Sequence, residues 1–202
     1  MVKKQVNQFS KDKIMNIVLP ILLWGVVTVA YAFRRPLEML LFSIDPYVLL
    51  LFAIPIVFLL LKKFSFSELG LKIGKPIYGI PLALFLPAIL FIRFFFMGKS
   101  FVLTGDLLPL IIGSVAEEVF FRGYLQSQFD KSFNGNIGLS FFLTNLLFAA
   151  VHLIKGYNIL GVLSVGAVGL YFSFAKDKKG GDSLGYSAAA HTLYNIVNVS
   201  LR

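Results

Sequence analysis

Six polar residues interrupt stretches that are otherwise apolar. They are Glu117, Glu118 and Arg122 in IIGSVAEEVFFRGYL, His152 in FAAVHL, and His191 and Asn195 in AAAHTLYN. His152 and His191 are the only histidines in the 202 residues. Ionisable groups inside apolar helices cost several kcal/mol at membrane depth and mark functional sites unless they are structural pairs. Carboxylates, imidazoles and a carboxamide are the groups needed to move a proton to or from water and to bind a developing oxyanion.

The spacings sort these residues into roles. Glu118 and Arg122 are i and i+4 with the acid N-terminal, the favoured order for a helical ion pair. Glu117 lies about 100° round the helix. It lacks that partner, as suits a residue that must take up and release a proton. His191 and Asn195 are i and i+4, so imidazole and carboxamide share a face. Phe148 and His152 share the same spacing, which lets the phenyl ring fix the histidine rotamer. Taken singly, each feature also has a structural reading. A Glu–Arg pair can staple helices, and His191, His152, Asn145, Asn195 or Asn198 can hydrogen-bond between helices. Gly161, Gly166, Gly169 and residues 187–190 permit close helix approach. The case rests on one helix supplying acids and two others supplying both histidines.

The elements that must position these groups are transmembrane helices. Hydrophobic residues make up 57% and charged ones 14%, against roughly 45–50% and about 25% in soluble domains. Mean hydropathy is +0.81. So few charges cannot cover a water-facing surface, and the chain reads as an all-α polytopic helix bundle of about seven to eight spans. A span takes about 17–25 residues. The apolar runs place spans at 14–33, 45–61, 77–97, 107–126, 137–154, 159–175 and 184–200. Leu40–Ser43 extend the short second span or form a separate re-entrant or eighth helix. Residues 1–104 supply N-terminal helices and 105–202 the helices with the polar groups, in one integrated membrane domain. Ala30-Tyr31-Ala32 mimics a signal cleavage site, but the run before it exceeds the usual length of about 7–15 residues and Arg34-Arg35 follows, so the helix is read as retained. Pro20, Pro55, Pro81 and Pro87 fall in or beside spans and predict kinks.

The net charge of +9 comes from short interruptions between spans rather than a basic stripe, so no nucleic-acid partner is expected. With seven spans and a cytoplasmic N-terminus, the cytoplasmic side carries 12 Lys and Arg and the opposite side 5, as the positive-inside rule favours. Segment 62–76 is amphipathic and suited to the cytoplasmic interface. The absence of Cys removes disulfides, thiolate ligands and a thiol nucleophile. Lack of an organellar signal points to a prokaryotic plasma membrane. One tension stands out. At about 1.5 Å per residue, Glu117 lies about 15 Å from the outer end of its span, His152 about 23 Å from the inner end of its own, and His191 about 12 Å from the inner end of the last.

Glu117–Arg122 has the form EExxxR, Phe148–His152 the form FxxxH, and His191–Asn195 the form HxxxN. In this order on successive apolar helices, over about residues 105–200, they resemble the CPBP family. That family comprises type II CAAX prenyl endopeptidases and bacteriocin-processing or immunity (Abi) proteins. The resemblance implies an intramembrane endopeptidase acting on a membrane-presented or lipidated peptide or protein. Glu117 would activate water with His152 assisting, and His191 and Asn195 would stabilise the oxyanion. Glu118 and Arg122 would support the helix and tune Glu117, with no Ser or Cys nucleophile. No cofactor is expected. Two His and one Glu also describe a catalytic zinc set, and Glu117, His152 and His191 would then be the ligands. An immunity or regulatory interaction protein on the same scaffold is the alternative, and a proton-coupled transporter using Glu117 and His152 is the third reading.

Overall fold

The computed structural model describes residues 2–41, 44–103 and 106–200, with side chains from residue 14 onward. It is an all-α membrane bundle, with no strand among the described residues. Its elements are α1 (Val2–Ala32), α2 (Arg34–Leu40), α3 (Pro46–Leu60), α4 (Pro76–Phe96), α5 (Leu107–Glu118), a π-helical segment (Val119–Gln126), α6 (Ser127–Ser132), α7 (Ile137–Ile154), α8 (Ile159–Lys176) and α9 (Leu184–Ser200).

Helices stand at all seven places where apolar runs predict spans, the 107–126 run being shared by α5 and the π-helical segment. By length and composition, four can cross a membrane: Ile14–Ala32, Pro76–Phe96, Ile137–Ile154 and Ile159–Lys176. Helices α3, with 15 residues, and α9, with 17, sit at or below the lower limit for crossing. Leu40 closes the seven-residue α2, which at about 10 Å is far too short to span a bilayer. Phe42, Ser43 and the expected 104/105 boundary lie outside the described residues.

Local chemistry sets the boundaries. Asp45 accepts hydrogen bonds from the backbone N–H groups of Tyr47 and Val48, with Pro46 at the first helical position, which starts α3. Asn136 caps α7 through Leu139 N, and Asn158 caps α8 through Gly161 N. Gly135 (φ +77°) and Gly156 (φ +87°) make the reversals before these caps, in a backbone region that disfavours a Cβ.

The 107–126 run is not one α-helix. From Val119 onward it widens to π, and Phe120 through Gln126 are all buried. A helix buried all round is the centre of its bundle. Phe120, Phe121, Tyr124 and Leu125 pack there with Leu51 of α3 and Val27 of α1. Trp24 Nε1 donates to Leu147 O at 3.0 Å, tying α1 to α7. Outward-facing Leu22, Val29, Phe85, Phe95, Leu160 and Leu163 are exposed, as faces solvated by lipid should be.

Segment 61–75 is a chain of turns rather than a helix. Phe64 and Leu69 are buried, while Phe66 and Ile73 project outward. The segment is clamped to its neighbours by Ser127 Oγ donating to Glu68 O at 2.7 Å and by a 2.7 Å Lys131–Glu68 ion pair. The hydrogen bond from Lys131, followed by one from Ser65 N–H, lowers the Glu68 carboxyl from 4.5 to about 2. A depressed carboxyl contributes stability that is complete above its unfolded value and fades as pH falls through the folded one. Because the pair is solvent-screened, its contribution is about 1 kcal/mol or less. Glu68→Gln should therefore lower the thermal midpoint slightly at neutral pH. The gap from wild type should close as the pH is lowered from about 5 to about 2. A gap independent of pH would contradict this account.

Candidate active site

Glu118 and Arg122 form the predicted ion pair at 2.9 Å, with both side chains fully buried. The pair is also the junction of four helices. Arg122 Nη2 donates to Asn145 Oδ1 of α7 and to Gly169 O of α8, each at 3.0 Å. Its guanidinium lies 4.2 Å from the Phe148 ring centroid. Glu118 Oε1 also meets His191 Nδ1 of α9 at 2.8 Å, and Ser187 Oγ donates to Glu118 Oε2. An ionised carboxylate only accepts, so Nδ1 of His191 carries the proton. Asn145 is held in turn by bonds from its Nδ2 to Ser173 Oγ and Phe141 O.

Glu117 faces a cavity of about 360 Å³. The expectation that it lacks a charge partner fails. Lys155 Nζ, from the turn after α7, donates to Glu117 Oε1, and Tyr47 OH donates to the same oxygen at 2.9 Å. The Lys155 ammonium also lies 5.0 Å from the Tyr47 ring and 5.6 Å from the Tyr31 ring, within cation–π range. Sequence reasoning counted Lys155 only as a loop charge and assigned Tyr47 nothing. Lys155 stands i+3 from His152, a legible hint. The Tyr47 contact joins residues 70 apart, and no local pattern announces it.

The other carboxylate oxygen is less engaged. His191 Nε2 is 3.8 Å from Glu117 Oε2, too far for a direct hydrogen bond and a separation at which a bridging molecule should be sought. His152 lines the same cavity. Its Nδ1 donates to Phe148 O at 2.8 Å, because a carbonyl only accepts, and no protein group hydrogen-bonds its Nε2 among the described residues. Its ring packs edge-on against Phe148 at 4.9 Å and Tyr157 at 5.2 Å. Asn195 also lines the cavity, and its Nδ2 donates to Ser114 Oγ at 3.0 Å. All four predicted cavity residues therefore meet, Phe148 lines the cavity with them, and Glu118 and Arg122 stand directly behind. Ser114, buried beside them, was missed.

The apparent mismatch of depths is resolved by stagger. Helix α7 packs on the π segment rather than on α5, and His152 lies two residues from its end. The first ten residues of α5 therefore project past α7. The cavity forms in that space between α5, the start of α8 and the end of α9. The small residues also divide. A Cβ on Gly169 would stand 2.4 Å from Asn145 Oδ1 and 2.8 Å from Arg122 Nη2, whereas one on Gly166 would meet nothing closer than 3.6 Å. Of these two, Gly169 is the one forced by close approach.

Among the described residues, no three His, Cys, Asp or Glu side chains stand at metal-ligand spacing.

Residues 99–197 fit the family described as type II CAAX prenyl endopeptidase Rce1-like. No curated protein and no solved structure matches the chain.

Removing one member of a buried ion pair leaves the other charge uncompensated, which costs about 3–5 kcal/mol. Arg122→Met should therefore lower the unfolding midpoint in detergent sharply. Gly169→Ala should cost about 1–3 kcal/mol by overpacking. Either variant melting like wild type would refute the four-helix junction.

Proposed function

From the type II CAAX prenyl endopeptidase Rce1-like domain at residues 99–197, we propose that the chain is a glutamate-dependent intramembrane endopeptidase. Its substrate would be a peptide or lipidated protein presented within the bilayer. The observation that carries the reading is the asymmetry of Glu117. One oxygen is anchored by Lys155 and Tyr47, while the other faces His191 across 3.8 Å on the cavity shared with His152 and Asn195.

In this reading a water bonded to Glu117 Oε2 is oriented by His152 Nε2, which accepts a hydrogen bond because Nδ1 is the donor to Phe148 O. Glu117 takes a proton as the water oxygen adds to the scissile carbonyl carbon. The carbonyl oxygen becomes an oxyanion that receives a hydrogen bond from the second N–H of the Asn195 amide and from His191 Nε2 in its imidazolium form. Collapse breaks the C–N bond, and the proton held by Glu117 passes to the departing amine. Water is thereby divided between a new carboxylic acid, which keeps its second proton, and a new amine, with no covalent enzyme intermediate. Lys155 and Tyr47 keep Oε1 out of the reaction and fix the direction of Oε2. Apolar Leu110, Val165, Val168 and Phe172 line the same cavity and suit aliphatic or aromatic substrate side chains. A secreted peptide, pheromone precursor or bacteriocin leader fits a prokaryotic plasma membrane better than a prenylated protein does.

The test is cleavage of a peptide library by the protein in liposomes. Glu117→Ala and His152→Ala should each lose about 10²–10⁴ in kcat, and Asn195→Ala about 10²–10³. A zinc chelator should leave the wild type unchanged. Activity abolished by the chelator would transfer the chemistry to a metal. A wild type that cuts nothing, yet protects cells from a bacteriocin as well as its Glu117→Ala variant does, would make the protein a binding scaffold.

A further inference from the structure

A second cavity of about 670 Å³ opens at the other end of the bundle. It lies between α6, the start of α7, the end of α8 and the loops around 67–72 and 177–182. Ser127 on its wall follows Glu117 by ten residues on one continuous helical run, about 15 Å along the axis, so it is separate from the catalytic cavity. Lys72 and Lys131 are engaged by Asp182 and Glu68, and Asp177 Oδ1 accepts the backbone N–H of Lys179.

Two groups are left over. Lys176 is nine-tenths buried. It donates one hydrogen bond, to Ser127 Oγ at 2.9 Å, and forms no ion pair among the described residues. An ammonium has three donors. Asp130 Oδ1 is buried with no hydrogen-bond partner. A desolvated cation and an unmatched acceptor are each costly alone, and here both line one cavity without touching. Lys178 and Lys179 add positive charge at the same cavity, without ion-pair partners among the described residues. A ligand that answers both poles carries an anion joined to a hydrogen-bond donor.

We propose that this cavity binds a phosphate ester whose alcohol part bears a hydroxyl or ammonium donor, as the headgroups of phosphatidylglycerol and phosphatidylethanolamine do. Lys176 holds the phosphate, supported by Lys178 and Lys179, and Asp130 accepts the hydroxyl or ammonium hydrogen. The cavity's position fits a lipid source. It sits where α7 begins and α8 ends, at the bundle end that carries the most lysines, and basic pockets between transmembrane helices on the cytoplasmic side recognise phospholipid headgroups. The outward-projecting Phe66 and Ile73 flank the lining residues of the turn segment, where acyl chains would run. Burial raises the Asp130 carboxyl above its ordinary value, which eases the approach of an anion.

The experiment uses the full chain in uncharged detergent, with lipid retention read by native mass spectrometry and midpoint shifts by thermal unfolding. The probes are short-chain phosphatidylglycerol, phosphatidylethanolamine, phosphatidylcholine and glycerol 3-phosphate. Phosphatidylglycerol or phosphatidylethanolamine should bind the wild type more tightly than phosphatidylcholine, whose headgroup has no donor. Lys176→Met should weaken that binding about tenfold or more. Asp130→Ala, which keeps Lys176 and removes the acceptor, should remove the preference over phosphatidylcholine and decides the matter should Lys176→Met not fold. Shifts as large with glycerol 3-phosphate as with lipid would place the same phosphate chemistry in a soluble ligand. Equal binding of all lipids by the wild type, or wild-type binding and preference in both variants, would overturn the site.

Discussion

Arg122 carries a charge that cannot be lost, at zero exposure, in a bundle whose surroundings are lipid. Such a group is tolerable only if its charge is matched and most of its donors engaged, and the fold does this at both Nη atoms, leaving Nε without a partner among the described residues. Glu118 supplies the counter-charge, Asn145 and Gly169 O take further N–H bonds, and Phe148 covers one face of the guanidinium. The partners come from three helices, so the requirements of one side chain fix how α5, α7 and α8 meet. Glu118 then extends the junction to α9 through Ser187 and His191.

That junction explains why the cavity is in register. His191 is held by Glu118 through Nδ1, which presents Nε2 towards Glu117. His152 sits one turn beyond Phe148, the residue stacked on Arg122. Two adjacent acids therefore have opposite surroundings. Glu118 is closed in by Arg122, His191 and Ser187, whereas Glu117 keeps one oxygen towards the cavity. The π-helical segment contributes by beginning immediately after this pair. π-helical turns recur at functional sites, and here the wider turn places Arg122 and the buried aromatic run against α3, α7, α8 and α9 at once.

The bundle is chemically polar along its axis. Lysines cluster around the turn segment and the 177–182 loop, while the cavity at Glu117 opens at the end with fewer basic residues. Of those, Lys155 is turned inward onto Glu117. A charge on a loop and a charge at a site look identical in sequence; only packing against Tyr31 and Tyr47 distinguishes them.

The sequence by itself determined the helical membrane character, the helix positions, the Glu118–Arg122 pair and the set of polar residues that converge. Apolar run length, i,i+4 spacing and the cost of charge in lipid are local properties that composition and order express. Tertiary structure alone decided what depends on contacts between distant segments. Tyr47 and Lys155 reach Glu117 across separations of 70 and 38 residues, Ser114 meets Asn195, and α5 slides past α7 so that groups at different depths share one cavity. The π widening after Glu118 belongs to the same class, since an apolar run reads alike with either helical pitch. Apolar periodicity carries no information about axial stagger, and a side chain's spacing says which face it takes but not which neighbour that face will meet.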